Sequence, residues 1–212
     1  GDDKGRIALS IHSANPDYVY AMVEGHGFYK STNRGASFQF MNDYNTSGNY
    51  YVELVPHPTD PNTLYSLDTY THFTNDGGKT WSRLPGDNRH VDDHCLWIDP
   101  ENTNHMIIGC DGGLYETFDN AQNWDFKPNL PVTQFYRVTV DNAEPFYNIY
   151  GGTQDNFSLG GPSRTINSSG ITNADWFVTQ TGDGFESQID PVDPNIIYAQ
   201  YQYGGLSRFD KK

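Results

Sequence analysis

The chain repeats itself, and that repeat constrains its fold more than any other feature. A phrase of the form Pro-(Asn or Asp)-x-aliphatic-Tyr occurs at Pro16-Asp17-Tyr18-Val19-Tyr20, Pro61-Asn62-Thr63-Leu64-Tyr65 and Pro194-Asn195-Ile196-Ile197-Tyr198. Looser copies lie at Thr103-Asn104-His105-Met106-Ile107 and between Pro145 and Tyr150, so the period is about 42 to 48 residues. A second phrase keeps the same phase. It reads Ser31-x-Asn33-x-Gly35-x-Ser37-Phe38, then Thr74-x-Asp76-x-Gly78-x-Thr80-Trp81, then Thr117-x-Asp119-x-Ala121-x-Asn123-Trp124, with a stretched fourth version ending at Asn173-Ala174-Asp175-Trp176.

Each unit between these markers divides into four short aromatic or β-branched runs separated by Asp-Pro, Gly-Gly and Asn-rich turns. In the third unit they are Cys95–Ile98, His105–Gly109, Gly113–Phe118 and Trp124–Phe126. No window of a dozen residues sustains a helical period without a breaker. Four strands at a period near 45 residues make the blade of a β-propeller. The expected fold is therefore all-β, a propeller of four-stranded blades in a single region spanning residues 1–212. The blades fall at about 5–41, 50–84, 93–127, 135–178 and 185–212, the last incomplete. With no initiating Met and a fifth unit short of a strand, the sequence reads as a piece of a larger propeller, with a closed five-bladed ring as the alternative. Such a piece would contact further blades or domains of a longer chain.

Composition excludes several function classes. Twenty-seven acidic against 13 basic residues give a net charge of −14, which repels a phosphate backbone and argues against a nucleic-acid partner. No run approaches the roughly 18 apolar residues of a membrane-spanning helix, so no membrane insertion is expected. Aromatic residues at 15% are too many for a disordered polyelectrolyte.

The second phrase has a physical reading. An Asp or Asn side chain accepts hydrogen bonds from turn amides, Gly supplies a positive φ, and the closing aromatic plugs the gap between sheets. These residues resemble the Asp box, or BNR repeat, of pattern Ser-x-Asp-x-Gly-x-Thr-Trp. Asn33, Gly35, Phe38, Asp76, Gly78, Trp81, Asp119 and Trp124 are accordingly assigned structural roles. The longer phrases His90–Pro100, Gly151-Gly152-Thr153-Gln154-Asp155-Asn156 and Gly182-Asp183-Gly184-Phe185 are similar to secreted bacterial Asp-box proteins. Those proteins are grouped with the sortilin/Vps10 N-terminal propeller and often labelled glycosyl hydrolases. The resemblance implies an extracellular, cell-surface or periplasmic location.

Blade topology puts these staples on one face and gathers a different set on the other. Crossovers between blades bring Asn49-Tyr50-Tyr51, His90, Asp92, Asp93, His94 and Asp183 to that rim. Loops between second and third strands bring His26, Asp68, Tyr70, His72, Asp111, Gln154, Asp155 and Asn156. Three readings stay open. The groups fix blade registry by hydrogen-bonding one another; or Asp92, Asp93 and Asp155 bind a cation, Ca²⁺ by its preference for carboxylate and amide oxygens, or a transition metal if His90 and His94 take part; or Asp92 or Asp93 with Asp155 or Asp183 supplies an acid/base pair for glycoside hydrolysis. His72, His90, His94, Asp111, Gln154 and Asn156 are ligand-binding candidates. With them go the aromatic residues Tyr50, Tyr70 and Trp176, and also Tyr51, Phe135, Tyr136 and Phe177, which either stack on a ligand or pack between blades. Sialidase chemistry is disfavoured, since Arg34 sits in a box turn and no Phe-Arg-Ile-Pro phrase is present.

A hairpin register with Asp99 opposite Met106 places Cys95 opposite Cys110 and predicts a disulfide. The functional expectation is a recognition scaffold binding glycan or polypeptide at the channel face. A carbohydrate-active hydrolase using the rim carboxylates is the alternative, and a structural module of a larger assembly the third.

Overall fold

A computed structural model describes residues 4–47, 52–130 and 132–212. Short β-prone runs joined by tight turns return antiparallel on their chain neighbours, which yields five meandering sheets. Blade 1 comprises β1 (Ile7–Ile11), β2 (Val19–Val23), β3 (Gly27–Ser31) and β4 (Gln39–Asn42). Blade 2 comprises β5 (Glu53–Pro56), β6 (Leu64–Leu67), β7 (His72–Thr74) and β8 (Ser82–Arg83). Blade 3 comprises β9 (Asp93–Ile98), β10 (Met106–Cys110), β11 (Gly113–Thr117) and β12 (Asp125–Phe126). Blade 4 comprises β13 (Arg137–Val140), β14 (Asn148–Gly152), β15 (Ser158–Pro162) and β16 (Phe177–Gln180). The fifth sheet has three strands, β17 (Ser187–Ile189), β18 (Ile196–Tyr201) and β19 (Gly205–Asp210). The chain is thus all-β, a series of propeller blades. Among the described residues no helix is long and apolar enough to cross a membrane.

The chain separates into two compact units. Gly1–Pro128 carries blades 1 to 3, and Asn129–Lys212 carries blades 4 and 5. In the first unit the core forms where one blade faces the next. Tyr20, Met22 and Phe28 of blade 1 pack with Leu54 and Leu64 of blade 2. Tyr65 and Leu67 of blade 2 pack with Leu96, Ile98, Met106 and Ile108 of blade 3. In the second unit Tyr150, Ile197 and Ala199 are fully buried, and the Phe177 and Phe209 rings stack at 6.1 Å.

The β3–β4, β7–β8 and β11–β12 turns share one hydrogen-bond pattern. In blade 2 the Asp76 Oδ1 accepts the amides of Lys79 (2.9 Å) and Thr80 (3.0 Å), while Thr74 Oγ1 accepts the amide of Gly78 (3.0 Å). Asn33 accepts the Ser37 amide (3.0 Å) and Asp119 the Asn123 amide (2.9 Å) at the same places. Bonds from Asn123 and Thr117 to its carboxylate hold Asp119 down at about 2. Each turn is also clipped to the turn joining the first two strands of its own blade: Arg34, Gly77 and Asn120 donate their amides to the carbonyls of Asp17, Asn62 and Asn104 at 3.0, 2.9 and 3.1 Å. The closing aromatics fill the junctions. Trp81 stacks on Tyr44 (4.4 Å) and meets Phe28 edge-on (5.2 Å), and Trp124 donates Nε1–H to the Pro85 carbonyl (3.2 Å). Gly78 is required beside Trp81, because a Cβ there would lie 2.0 Å from the Phe28 ring.

Two expectations need correction. The stretched fourth phrase forms no such turn. Asp175 Oδ2 instead accepts the amide of Thr172 (2.7 Å), three residues back, and caps a single 3₁₀ turn over Asn173–Asp175. The Cys95–Cys110 disulfide is also absent, and both thiols are free. Met106 pairs with Ile98 rather than Asp99, which puts Gly109 opposite Cys95, and a bulge at Gly109/Cys110 sets Cys110 against Asp93. One residue of register separates the two sulfurs across the ladder.

The residue after each first strand performs one further task. Asp99, Asp141 and Asp190 accept amides two or three residues on (Glu101 at 2.9 Å, Ala143 at 3.1 Å, Val192 at 2.8 Å and Asp193 at 3.0 Å). In blades 1 and 2 an imidazole does the same: His12 Nδ1 accepts the Asn15 amide (3.0 Å) and His57 Nδ1 the Asp60 amide (3.1 Å). An acceptor Nδ1 requires a neutral ring. Burial lowers both pKa values below 6.5, against the pull of Asp60. The unfolded chain therefore binds the protons first, so this stability is complete above pH 6.5 and lost as pH falls through the depressed native values. The double variant His12→Asp/His57→Asp is expected to lose less urea-midpoint stability than the parent between about pH 7 and about pH 5, since a carboxylate still accepts there. Equal losses would contradict this role.

Candidate functional site

In the first unit the rim carboxylates tie crossovers to neighbouring loops. Asp68, in the β6–β7 loop, accepts the amides of Ser47 and Thr69, both at 2.7 Å, and the Ser47 hydroxyl. Asp93 is fully buried at the start of β9. It pairs with Arg89 and accepts both the amide (3.2 Å) and the hydroxyl (2.6 Å) of Thr71. His94 Nε2 lies 2.8 Å from Asp111, whose amide bonds the Asp92 carbonyl at 3.2 Å. His90 is held by its own amide on the Tyr115 hydroxyl (3.1 Å), and the His72 ring packs against Tyr44 at 5.6 Å. Arg83 covers the Tyr70 ring at 3.8 Å. Asp92 adopts a left-handed conformation at φ 66°, its amide bonded to the Thr69 carbonyl.

The sequence thus brought His90, Asp92, Asp93, His94 and Asp111 to one seam, and the registry reading accounts for the bonds made there. Asp93, a catalytic and metal-binding candidate of the sequence, is buried with its carboxylate engaged by Arg89 and Thr71. Among the described residues no group of three or more His, Cys, Asp or Glu side chains is placed to hold a metal ion. Tyr50 and Tyr51 lie outside the described residues.

In the second unit the two Gly-rich phrases interlock. Asp183 Oδ1 accepts the amide of Asp155 (2.7 Å), Gly184 donates to the Thr153 carbonyl (2.8 Å), and Phe157 donates to the Gly182 carbonyl (3.2 Å). The backbones approach so closely that a Cβ on Gly184 would lie 2.4 Å from the Phe157 carbonyl oxygen. Asp155 and Phe157 pay for this in left-handed conformations, φ 60° and 73°. Trp176 is spent on packing, beside Phe135 (6.0 Å) and over Gly161. Gln154 accepts the Tyr136 hydroxyl, and Asn156 donates back to the Gln154 carbonyl at 3.1 Å.

Beside this interlock runs an open groove of about 440 Å³, lined by Tyr136, Arg137, Phe185, Glu186, Gln200, Tyr201, Tyr203 and Gly204. Tyr136 and Phe185 stack nearly parallel at 5.4 Å. Backbone bonds fix the edges: Phe185 donates to the Gln200 carbonyl (3.3 Å) and Gln200 to that of Glu186 (2.9 Å). Glu186 faces Arg137 at 3.8 Å and accepts from Gln188 at 2.8 Å. Tyr203 sits fully exposed on the β18–β19 turn at φ 59°, a conformation that bulky side chains rarely adopt. Aromatic faces with one balanced pair of charges suit a neutral ligand with an apolar face and hydroxyl edges.

Sequence reading reached Tyr136, Gln154 and Asp183 but missed Glu186, Gln200, Tyr201 and Tyr203. The signal was present: Tyr201-x-Tyr203-Gly204-Gly205 occupies in blade 5 the same loop that carries the rim residues of the other blades.

No protein-family profile matches the sequence. The oligoxyloglucan-reducing end-specific xyloglucanase of Emericella nidulans is 24% identical over 160 residues, 66% of this chain, and the chain spans about 20% of that protein's length. A GH74 enzyme from Niastella koreensis superposes at a TM-score of 0.48 with 14% identity, covering 93% of this chain and 33% of that one. YCF48 bound to D1 peptide superposes at 0.44 with 10% identity, covering 98% and 64%.

The Arg89–Asp93 pair yields a prediction. Arg89→Met leaves a buried carboxylate facing only Thr71 and is expected to lower unfolding stability by about 3–5 kcal/mol in urea titration. A loss no larger than that of Arg83→Met, whose guanidinium is exposed, would show that the pair does not hold the seam.

Proposed function

We propose that this chain is a carbohydrate-recognition propeller module that holds a neutral glycan across the Tyr136–Phe185–Tyr203 groove. The observation that carries this reading is the groove itself, lined by the four aromatic residues Tyr136, Phe185, Tyr201 and Tyr203, the first two stacked, around a Glu186–Arg137 pair. The relative whose name gives oligoxyloglucan as its substrate supports the same ligand class. Within this reading the stapled turns of blades 1 to 3 are Asp boxes, the protein acts outside the cell, and further blades of a longer chain extend the binding face. Aromatic stacking needs no charge, which fits recognition of a hydroxyl-rich chain by a strongly acidic protein.

Hydrolysis is the second reading. Asp155 and Asp183 meet at one loop in the second unit, where the Asp183 carboxylate accepts the Asp155 amide at 2.7 Å. Glycoside cleavage needs two carboxyl groups about 5 to 10 Å apart across the sugar, and Asp92 of the first unit is the remaining sequence candidate.

Calorimetric titration with xyloglucan oligosaccharides and reducing-sugar release on the same samples separate the two. Recognition predicts binding that weakens about tenfold or more in Tyr136→Ala and Tyr203→Ala, each a loss of at least about 1.4 kcal/mol. It predicts binding retained in Asp155→Asn and Asp183→Asn. Sugar release abolished by those two carboxamide variants would replace recognition with hydrolysis. Binding unaffected by both tyrosine substitutions would remove the groove as the site.

A further inference from the structure

The two blade junctions of the first unit are built from equivalent positions, yet only one of them is filled. At the junction of blades 1 and 2, the Tyr20 hydroxyl donates to the Pro61 carbonyl at 2.7 Å. Lys30 reaches across to Asn62 Oδ1 at 3.2 Å, its ammonium 4.9 Å from the centre of the Tyr18 ring. At the junction of blades 2 and 3 the repeat places Tyr65 for Tyr20, Phe73 for Lys30, Thr63 for Tyr18 and Asn104 for Asn62. Losing the long cation and one aromatic ring leaves a pocket of about 200 Å³. At roughly 30 Å³ per water that is room for about half a dozen waters, or for one six-membered sugar ring.

The lining is specific in character. Tyr65 and Phe73 supply aromatic walls, and Asn104, Asn120 and Gln122 supply amides. Among the described residues none of these three side-chain amides is engaged by another protein group. His57 adds a directed donor: its Nδ1 accepts the Asp60 amide (3.1 Å), so the neutral ring carries its proton on Nε2. Among the described residues no carboxylate, ammonium or guanidinium lines the pocket, in a chain of net charge −14. The turn beside it holds Asn120 and Ala121 in consecutive left-handed conformations, φ 57° and 66°, where blade 2 uses two glycines. At the first of these positions the repeat therefore presents an amide side chain to the pocket instead of a bare backbone.

We propose that this junction is a second saccharide site, taking one neutral pyranose unit with its apolar face toward Tyr65 and Phe73 and its hydroxyls toward the amides. A free sugar and the end of a glycan chain offer this same chemistry. The site lies wholly in the first unit and does not rest on the groove reading.

The test is an amide-resolved NMR titration of the whole chain with D-glucose, cellobiose and D-glucuronate. With a millimolar Kd, corresponding to about −4 kcal/mol, glucose is expected to shift the amides of Asn104, Asn120 and Gln122. Cellobiose acting equally identifies a chain end, and glucose alone a free sugar. Phe73→Lys, which installs the residue of the filled junction, is expected to abolish these shifts, while Tyr203→Ala leaves them unchanged. Should Phe73→Lys fail to fold, Asn104→Ala serves instead and is expected to weaken binding about tenfold, the usual cost of one hydrogen bond to a bound group. The proposal is overturned if neither neutral sugar shifts these amides, if the shifts survive both pocket variants, or if glucuronate binds as well as glucose.

Discussion

A side-chain carboxylate, amide or imidazole accepting backbone amides is the constraint on which this fold depends. A four-stranded blade exposes a row of tight turns whose polar backbone has no sheet partner, and each must be satisfied locally. Asn33, Asp76 and Asp119 do this for the third turn of their blades, and His12, His57, Asp99, Asp141 and Asp190 for the first. The amides of Arg34, Gly77 and Asn120 then clip the two turns of one blade together. With the backbone settled in this way, side chains such as Phe28, Trp81 and Trp124 are left to fill the spaces between blades. Much of the negative charge is therefore structural.

The same economy operates on the opposite rim. Asp68, Asp93 and Asp183 join a crossover to a neighbouring loop, accepting amides of Ser47, Thr71 and Asp155. Carboxylates gathered on a propeller rim invite a catalytic or metal-binding reading. The bonds they make are a use within the fold, and Asp93 is buried among its partners Arg89 and Thr71. The groove of the second unit differs in kind: its exposed side chains are mostly aromatic and amide, and its one carboxylate is balanced by Arg137.

The architecture was legible because it is periodic. Two phrases in a common phase locate the first and third turns of blades 1 to 3, and hydrophobic runs between them locate the strands, so blade class and the staple residues of those blades follow from spacing. The cysteine pairing was misread because the β9–β10 ladder runs one residue from the expected register, with Gly109 opposite Cys95, and the bulge at Gly109/Cys110 then sets Cys110 against Asp93. The fourth copy of the second phrase misled for a different reason. Its closing aromatic is in place at Trp176, but the acceptor position five residues earlier is Ile171, and the Asp175 carboxylate caps backward instead. The groove was half legible. Tyr136 and Gln154 could be placed on the rim by phase, whereas Tyr203 depends on a left-handed turn that composition does not announce.

The most direct measurement is a crystal structure of the chain grown with a neutral gluco-oligosaccharide. Recognition at the second unit predicts a sugar ring stacked on Tyr136, Phe185 or Tyr203, with hydroxyls within hydrogen-bond reach of Gln200 or Glu186. An oligosaccharide seated instead across the Asp155–Asp183 loop, with the aromatic groove empty, would contradict it.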